Sequence, residues 1–101
     1  MIILYEYMVA FDLPKEFDRE FISAIPAQRA IINKLMKEGI VTSYALSLEN
    51  SKLWVVMIAE SELEVVQNIS AFPIINKTDF TISKLAFHNN ANRLVPNFSE
   101  N

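Results

Sequence analysis

The sequence predicts an α+β domain of strand, helix, strand, strand, helix, strand order, with both helices on one face of a four-stranded antiparallel sheet. Three observations carry this. The spacing of apolar residues switches along the chain between strand-like runs and helix-like three- and four-residue steps. Breakers fall between the blocks: Asp12-Leu13-Pro14, Gly39, Glu49-Asn50-Ser51-Lys52 and Pro73. At 101 residues with 51% hydrophobic and 21% charged content, the chain can bury one core, and the composition argues against disorder.

Each element follows in turn. Ile2 to Phe11 is aliphatic and aromatic and ends at Asp12-Leu13-Pro14, a strand leaving into a turn. From Lys15 to Glu38, Phe21, Ile22, Ile25, Ile32, Leu35 and Met36 recur at helical spacing. Pro26 inside that pattern is expected to kink the helix or split it. Gly39 is placed to end it, since only glycine adopts a left-handed backbone without cost. Ile40 to Leu48 and Leu53 to Ala59 read as a hairpin around Glu49-Asn50-Ser51-Lys52. Ser61-Glu62-Leu63-Glu64 has capping-box spacing, and Leu63, Val66, Ile69 and Phe72 continue a helix that Pro73 stops. Phe80 to Phe87 is the last strand. Right-handed crossovers then give the ferredoxin-like βαββαβ arrangement. Residues 1–89 form this one domain, and residues 90–101 a polar tail in which Leu94, Val95 and Phe98 are expected to anchor on a neighbouring subunit.

A sheet face in water should alternate polar with apolar residues. Leu53-Trp54-Val55-Val56-Met57-Ile58-Ala59 is apolar on both sides, and Ile2 to Phe11 nearly so. Strands of that kind are covered on both faces, whereas two helices cover one. A second copy is the expected cover. Burying about 700 Å² per partner is worth roughly 17 kcal/mol at ~25 cal/mol per Å², before association costs.

Composition excludes several functions. There is no cysteine, so disulfide scaffolds, thiol catalysis and cysteine-based zinc sites are out. Net charge is −3 with scattered Lys and Arg, so no basic stripe exists to bind nucleic acid. A single glycine rules out a glycine-rich phosphate loop. Glu6 and Asp12 interrupt the apolar start, no basic region precedes it, and no run is long enough for a membrane span, so a cytoplasmic location is expected. The Asn-x-Ser/Thr triplets at Asn68, Asn76 and Asn97 are then chance matches.

Several stretches resemble the muconolactone isomerase-like group of the dimeric α/β-barrel superfamily. They are Phe11-Asp12-Leu13-Pro14, Ile25-Pro26-Ala27-Gln28-Arg29, Lys37-Glu38-Gly39 and Leu53-Trp54. Ala71-Phe72-Pro73-Ile74, Thr78-Asp79-Phe80 and Leu85-Ala86-Phe87-His88-Asn89 complete the set. The resemblance implies a ferredoxin-like subunit that dimerises through its sheet, often assembles further, and has a pocket between sheet and helices. In the isomerases a proton shifts within an unsaturated lactone, without metal or organic cofactor. The second strand, Thr42-Ser43-Tyr44-Ala45-Leu46-Ser47, departs from the basic and aromatic strand of those enzymes. The alternative is a non-catalytic oligomeric module that binds a small molecule.

Candidate residues carry two readings each. Gln28 falls on the inward stripe of the first helix, where a buried amide needs partners. It either fixes a ligand carbonyl or hydroxyl, or bonds to the chain itself. Glu6 is the only acid within an otherwise apolar and aromatic strand. It is either a general base or paired with Lys84 on the neighbouring last strand. His88, the sole histidine, suits proton transfer or a strand-end hydrogen bond, and alone it makes a poor metal site. Tyr7, Tyr44 and Trp54 either line a pocket for a flat or apolar molecule or belong to core and interface. Arg29 either clamps a carboxylate or forms an exposed ion pair. In the isomerase reading Glu6 and His88 are the acid and base, with the others binding substrate.

Overall fold

A computed structural model describes residues 2–89. The expected tail contacts of Leu94, Val95 and Phe98 therefore lie outside the described residues. The element order is β1 (Tyr5–Asp12), α1 (Arg19–Lys37), β2 (Val41–Ser47), β3 (Lys52–Ala59), α2 (Glu62–Ile69), a 3-10 turn (Ile75–Lys77) and β4 (Asp79–Lys84). The four strands are antiparallel in the order β2-β3-β1-β4, which is the ferredoxin-like topology.

Local chemistry sets the helix limits. Asp18 caps α1 by accepting the Phe21 N–H at 2.8 Å, so the helix starts at Arg19 and not at Lys15. Pro26 does not split it: α1 is continuous through the proline. The missing N–H leaves one carbonyl, that of Ile22, without its helical donor, and both residues are exposed, where water can serve it. At the far end Gly39 has φ +78°, its N–H bonds to the Met36 carbonyl, and the Ile40 N–H reaches the Leu35 carbonyl. That pair of bonds is a Schellman stop, and the left-handed angle is the reason glycine stands there. Ser61 caps α2 through the Glu64 N–H, and Glu64 reaches back one residue further than expected, to the Glu60 N–H at 2.7 Å. The helix ends at Ile69, short of Pro73.

Odd-numbered residues of β1 and β3 point toward the helices. Val9, Phe11, Val55 and Met57 are fully buried with Phe21, Ile32 and Leu35 of α1 and Val65 and Ile69 of α2. Phe11 sits at the centre, with its ring 5.7 Å from that of Phe72 and 6.0 Å from that of Phe80. The even-numbered set (Glu6, Met8, Ala10, Trp54, Val56 and Ile58) faces the other way, and all but Val56 are only half-buried. On the flanking strands this open face carries Ser43, Ala45 and Ser47 of β2, and Thr81 and Ser83 of β4. The two central strands are thus largely apolar on both sides, as the sequence predicts, while the edge strands present small, mostly polar residues to the open side.

One irregularity shapes the helix side. The β2–β3 register shifts between Val41 and Ser43, leaving Thr42 as an extra residue whose hydroxyl lies 3.4 Å from the Val56 carbonyl. A bulge of this kind inverts the in–out alternation beyond it. Val41 stays in the core, and Tyr44 and Leu46 also turn to the helix side, opposite Val55 and Leu53.

Candidate functional site

Between α1 and the β2–β3 half of the sheet lies a cavity of about 370 Å³. Pockets that hold small molecules run from roughly 300 to 1,000 Å³, so the space is ligand-sized. One wall is a stripe of α1, with Phe21, Ile25, Gln28, Arg29 and Ile32 at helical spacing. The opposite wall is Tyr44 and Leu46, turned inward by the Thr42 bulge, together with Leu53. Leu13, Phe17 and Ile74, all in loops, close the ends. Tyr44 and Leu46 are exposed, so the cavity opens along the β2 edge.

Gln28 is the polar residue inside. It is 6% exposed, and its Oε1 accepts the Ile74 N–H at 3.3 Å. That contact fixes the amide orientation, because only the oxygen can accept. Nε2 then points elsewhere, buried and without a partner among the described residues. A donor left so costs about 1–3 kcal/mol, and an incoming acceptor recovers it. Both readings of Gln28 thus hold in part: one end of the amide is bonded to the chain and the other is free.

The loop that supplies Ile74 is tied to α1 a second time. Lys77 donates to Glu20 at 2.6 Å. That hydrogen bond raises the Lys77 pKa; desolvation opposes it, and the negative charges of Glu20 and Asp18 add to the rise. The pair is exposed, so it orients the loop more than it stabilises the fold.

Among the described residues Arg29 is the only charged one lining the cavity, and no carboxylate pairs with it. The expected exposed ion pair on the helix flank is therefore not formed. Its neighbours on the helix toward the C-terminus, Lys34 and Glu38, pair with each other at 3.9 Å instead.

The remaining candidates lie elsewhere. Tyr7 is 4% exposed within the helix-side core and does not line the cavity. Trp54 sits at an even position of β3, so its side chain is on the open face, away from the cavity. Glu6 is on that face too. The expected Glu6–Lys84 pair does not form, because Lys84 stands opposite Tyr7 and so projects to the helix side. Its ammonium lies 3.7 Å from the centre of the Tyr5 ring, a cation–π contact. Glu6 meets His88 instead, with Oε2 3.3 Å from Nδ1, and the imidazole N–H at that atom donates to the carboxylate. The structure brings the two acid–base candidates together and places them across the sheet from the cavity.

Sequence reasoning missed Leu13, Phe17 and Ile74 as cavity residues, and the Ile74 N–H as the partner of Gln28. They lie in loops, where periodicity has no bearing. The nearest signal was Pro73, which marks the turn that carries Ile74 but not where that turn docks.

Topology and site together define a ferredoxin-like α+β domain with a ligand-sized cavity on its helix side. No family model matches the chain, and no curated protein matches it. Among solved structures the chain is similar to Rv0793 from Mycobacterium tuberculosis, at 16% identity and a TM-score of 0.40, over 85% of this chain and 97% of that one. A likeness of that degree says nothing about ligand or activity. No helix among the described residues is long and apolar enough to cross a membrane.

Proposed function

We propose that this protein is a homo-oligomeric small-molecule-binding subunit, which holds a small, mainly apolar molecule by one hydrogen-bond acceptor in the cavity between α1 and the β2–β3 strands. The observation that carries the reading is the cavity itself, an apolar space of about 370 Å³ whose α1 wall includes Gln28, a buried amide with its Oε1 bonded to the Ile74 N–H and its Nε2 without a partner among the described residues. Such an unpaired group is rare in a folded interior and points to a missing partner. The open face supports the oligomer: Met8, Ala10, Trp54 and Ile58 leave apolar surface half-exposed, which a second copy would cover.

The test is a calorimetric titration with methyl octanoate, an apolar chain with a carbonyl acceptor, against wild type and Gln28→Met. Methionine keeps the volume and removes the donor. Wild type is expected to bind, and Gln28→Met to bind about tenfold more weakly, the worth of one hydrogen bond. Gln28→Glu keeps an acceptor for Ile74 and serves if the methionine variant unfolds. Equal affinity in a folded variant would remove Gln28 from the reading.

A second reading, the proton-shifting isomerase suggested by the resemblance, is favoured by one observation, the Glu6–His88 contact. A carboxylate that orients an imidazole is a common acid–base arrangement. It requires substrate on the open face, and its direct assay is solvent deuterium exchange into an unsaturated lactone, abolished by His88→Ala.

A further inference from the structure

The polar equipment of the cavity is one-sided. Gln28 offers Nε2, a donor, because its oxygen is already used by Ile74. Arg29 offers guanidinium donors only, and its positive charge is the sole charge that the described residues place on the lining. Tyr44 adds a hydroxyl that can serve either way. Among the described residues no Asp or Glu lines the cavity, so a cationic or amine ligand finds no carboxylate partner on these walls. The remaining lining residues are aliphatic or phenyl side chains.

We infer that the occupant is an anionic amphiphile, an apolar body ending in a carboxylate that is held by the Arg29 guanidinium and the Gln28 amide. The inference rests on the ligand-binding reading above and adds the charge of the ligand. Gln28 and Arg29 both line the cavity from α1, and a carboxylate has two oxygens, one for each donor. Arg29 is exposed. The charged head therefore sits at the mouth, where water still reaches it and the cost of burying an ion is small. Gln28 lies deeper, and its donor holds the inner oxygen. The tail runs inward along Phe21, Ile25, Ile32 and Leu53. Charge-assisted hydrogen bonds are about twice as strong as neutral ones, so the acid is preferred over its ester.

The experiment titrates full-length protein with octanoate and with methyl octanoate at neutral pH. Octanoate is expected to bind at least about tenfold more tightly than the ester. Arg29→Gln, a change at an exposed position that the fold tolerates, is expected to abolish that preference. Lys37→Gln removes a cation from the same helix that does not line the cavity, and the preference should survive it. Ester binding as tight as acid binding overturns the inference while leaving the cavity reading intact. So does an acid preference that persists in Arg29→Gln. Binding of neither compound overturns the cavity reading itself.

Discussion

Ala10→Glu is expected to break the proposed sheet-to-sheet pairing and give single, folded chains, with the sedimenting mass falling to that of one chain. Ala10 lies at the middle of β1, opposite Trp54 on β3 and Thr81 on β4, at the centre of the open face. In an isolated subunit a glutamate there reaches water along its flexible stem, so the sheet itself is little disturbed. In a sheet-to-sheet pair it is buried without a partner, and the two copies bring like charges together. Breaking water contact with an unpaired carboxylate costs several kcal/mol, a shift of about a thousandfold or more in the dissociation constant. Circular dichroism should remain that of the wild type. An unchanged mass would show that the open face is not the contact between copies.

Phe11→Ala carries the second large effect, on stability. Phe11 is 0% exposed, pairs with Leu53 across the β1–β3 ladder, and packs its ring on Phe72 and Phe80. Through Phe72 it also joins the sheet to the segment that carries Ile74 and the Gln28 bond. Truncating a buried phenylalanine costs about 3–5 kcal/mol, from lost transfer energy plus the cavity left behind. With a urea slope of ~1–3 kcal/mol per M, the unfolding midpoint should fall by more than about 1 M. Both proteins must be compared at one concentration, since the proposed assembly would add to apparent stability. Phe87→Ala is the control: that ring is 77% exposed, and its loss should change stability by less than about 0.5 kcal/mol. A Phe11→Ala midpoint equal to that of Phe87→Ala would contradict the packing described.

The parts of this fold that can be read from sequence are those set by local chemistry. The stripe Phe21, Ile25, Gln28, Ile32 and Leu35 places α1, Gly39 ends it, and Ser61 starts α2, because each of these acts within a turn of its own position. Strand order follows from the connections. Gln28 was legible as an inward amide for the same reason. Its partner was not, since Ile74 is 46 residues further on and reaches it only after the α2–β4 loop has docked.

Two residues show where periodicity fails. A regular β2 would put Val41, Ser43 and Ala45 on one face, and the Thr42 bulge replaces that set with Val41, Tyr44 and Leu46. Nothing in Val41-Thr42-Ser43 announces a bulge, because it resolves a conflict between two strands and not within one. Glu6 shows the second case. Its pairing with Lys84 assumed that nearby positions on adjacent strands share a face, whereas the register sets Lys84 opposite Tyr7 and turns Glu6 to the other side. His88 then becomes available to Glu6 because the chain continues beyond β4, where the Leu85 N–H bonds to the Glu6 carbonyl at 2.9 Å.

The position of a bound molecule relative to the sheet separates the two functional readings most directly. Intermolecular NOEs between methyl octanoate and the side-chain methyls of the protein report that position without assuming a reaction. The cavity reading predicts contacts to Ile25, Ile32 and Leu53. Contacts to Met8, Val56 and Ile58 would contradict it, and would place the ligand beside the Glu6–His88 pair on the far side of the sheet.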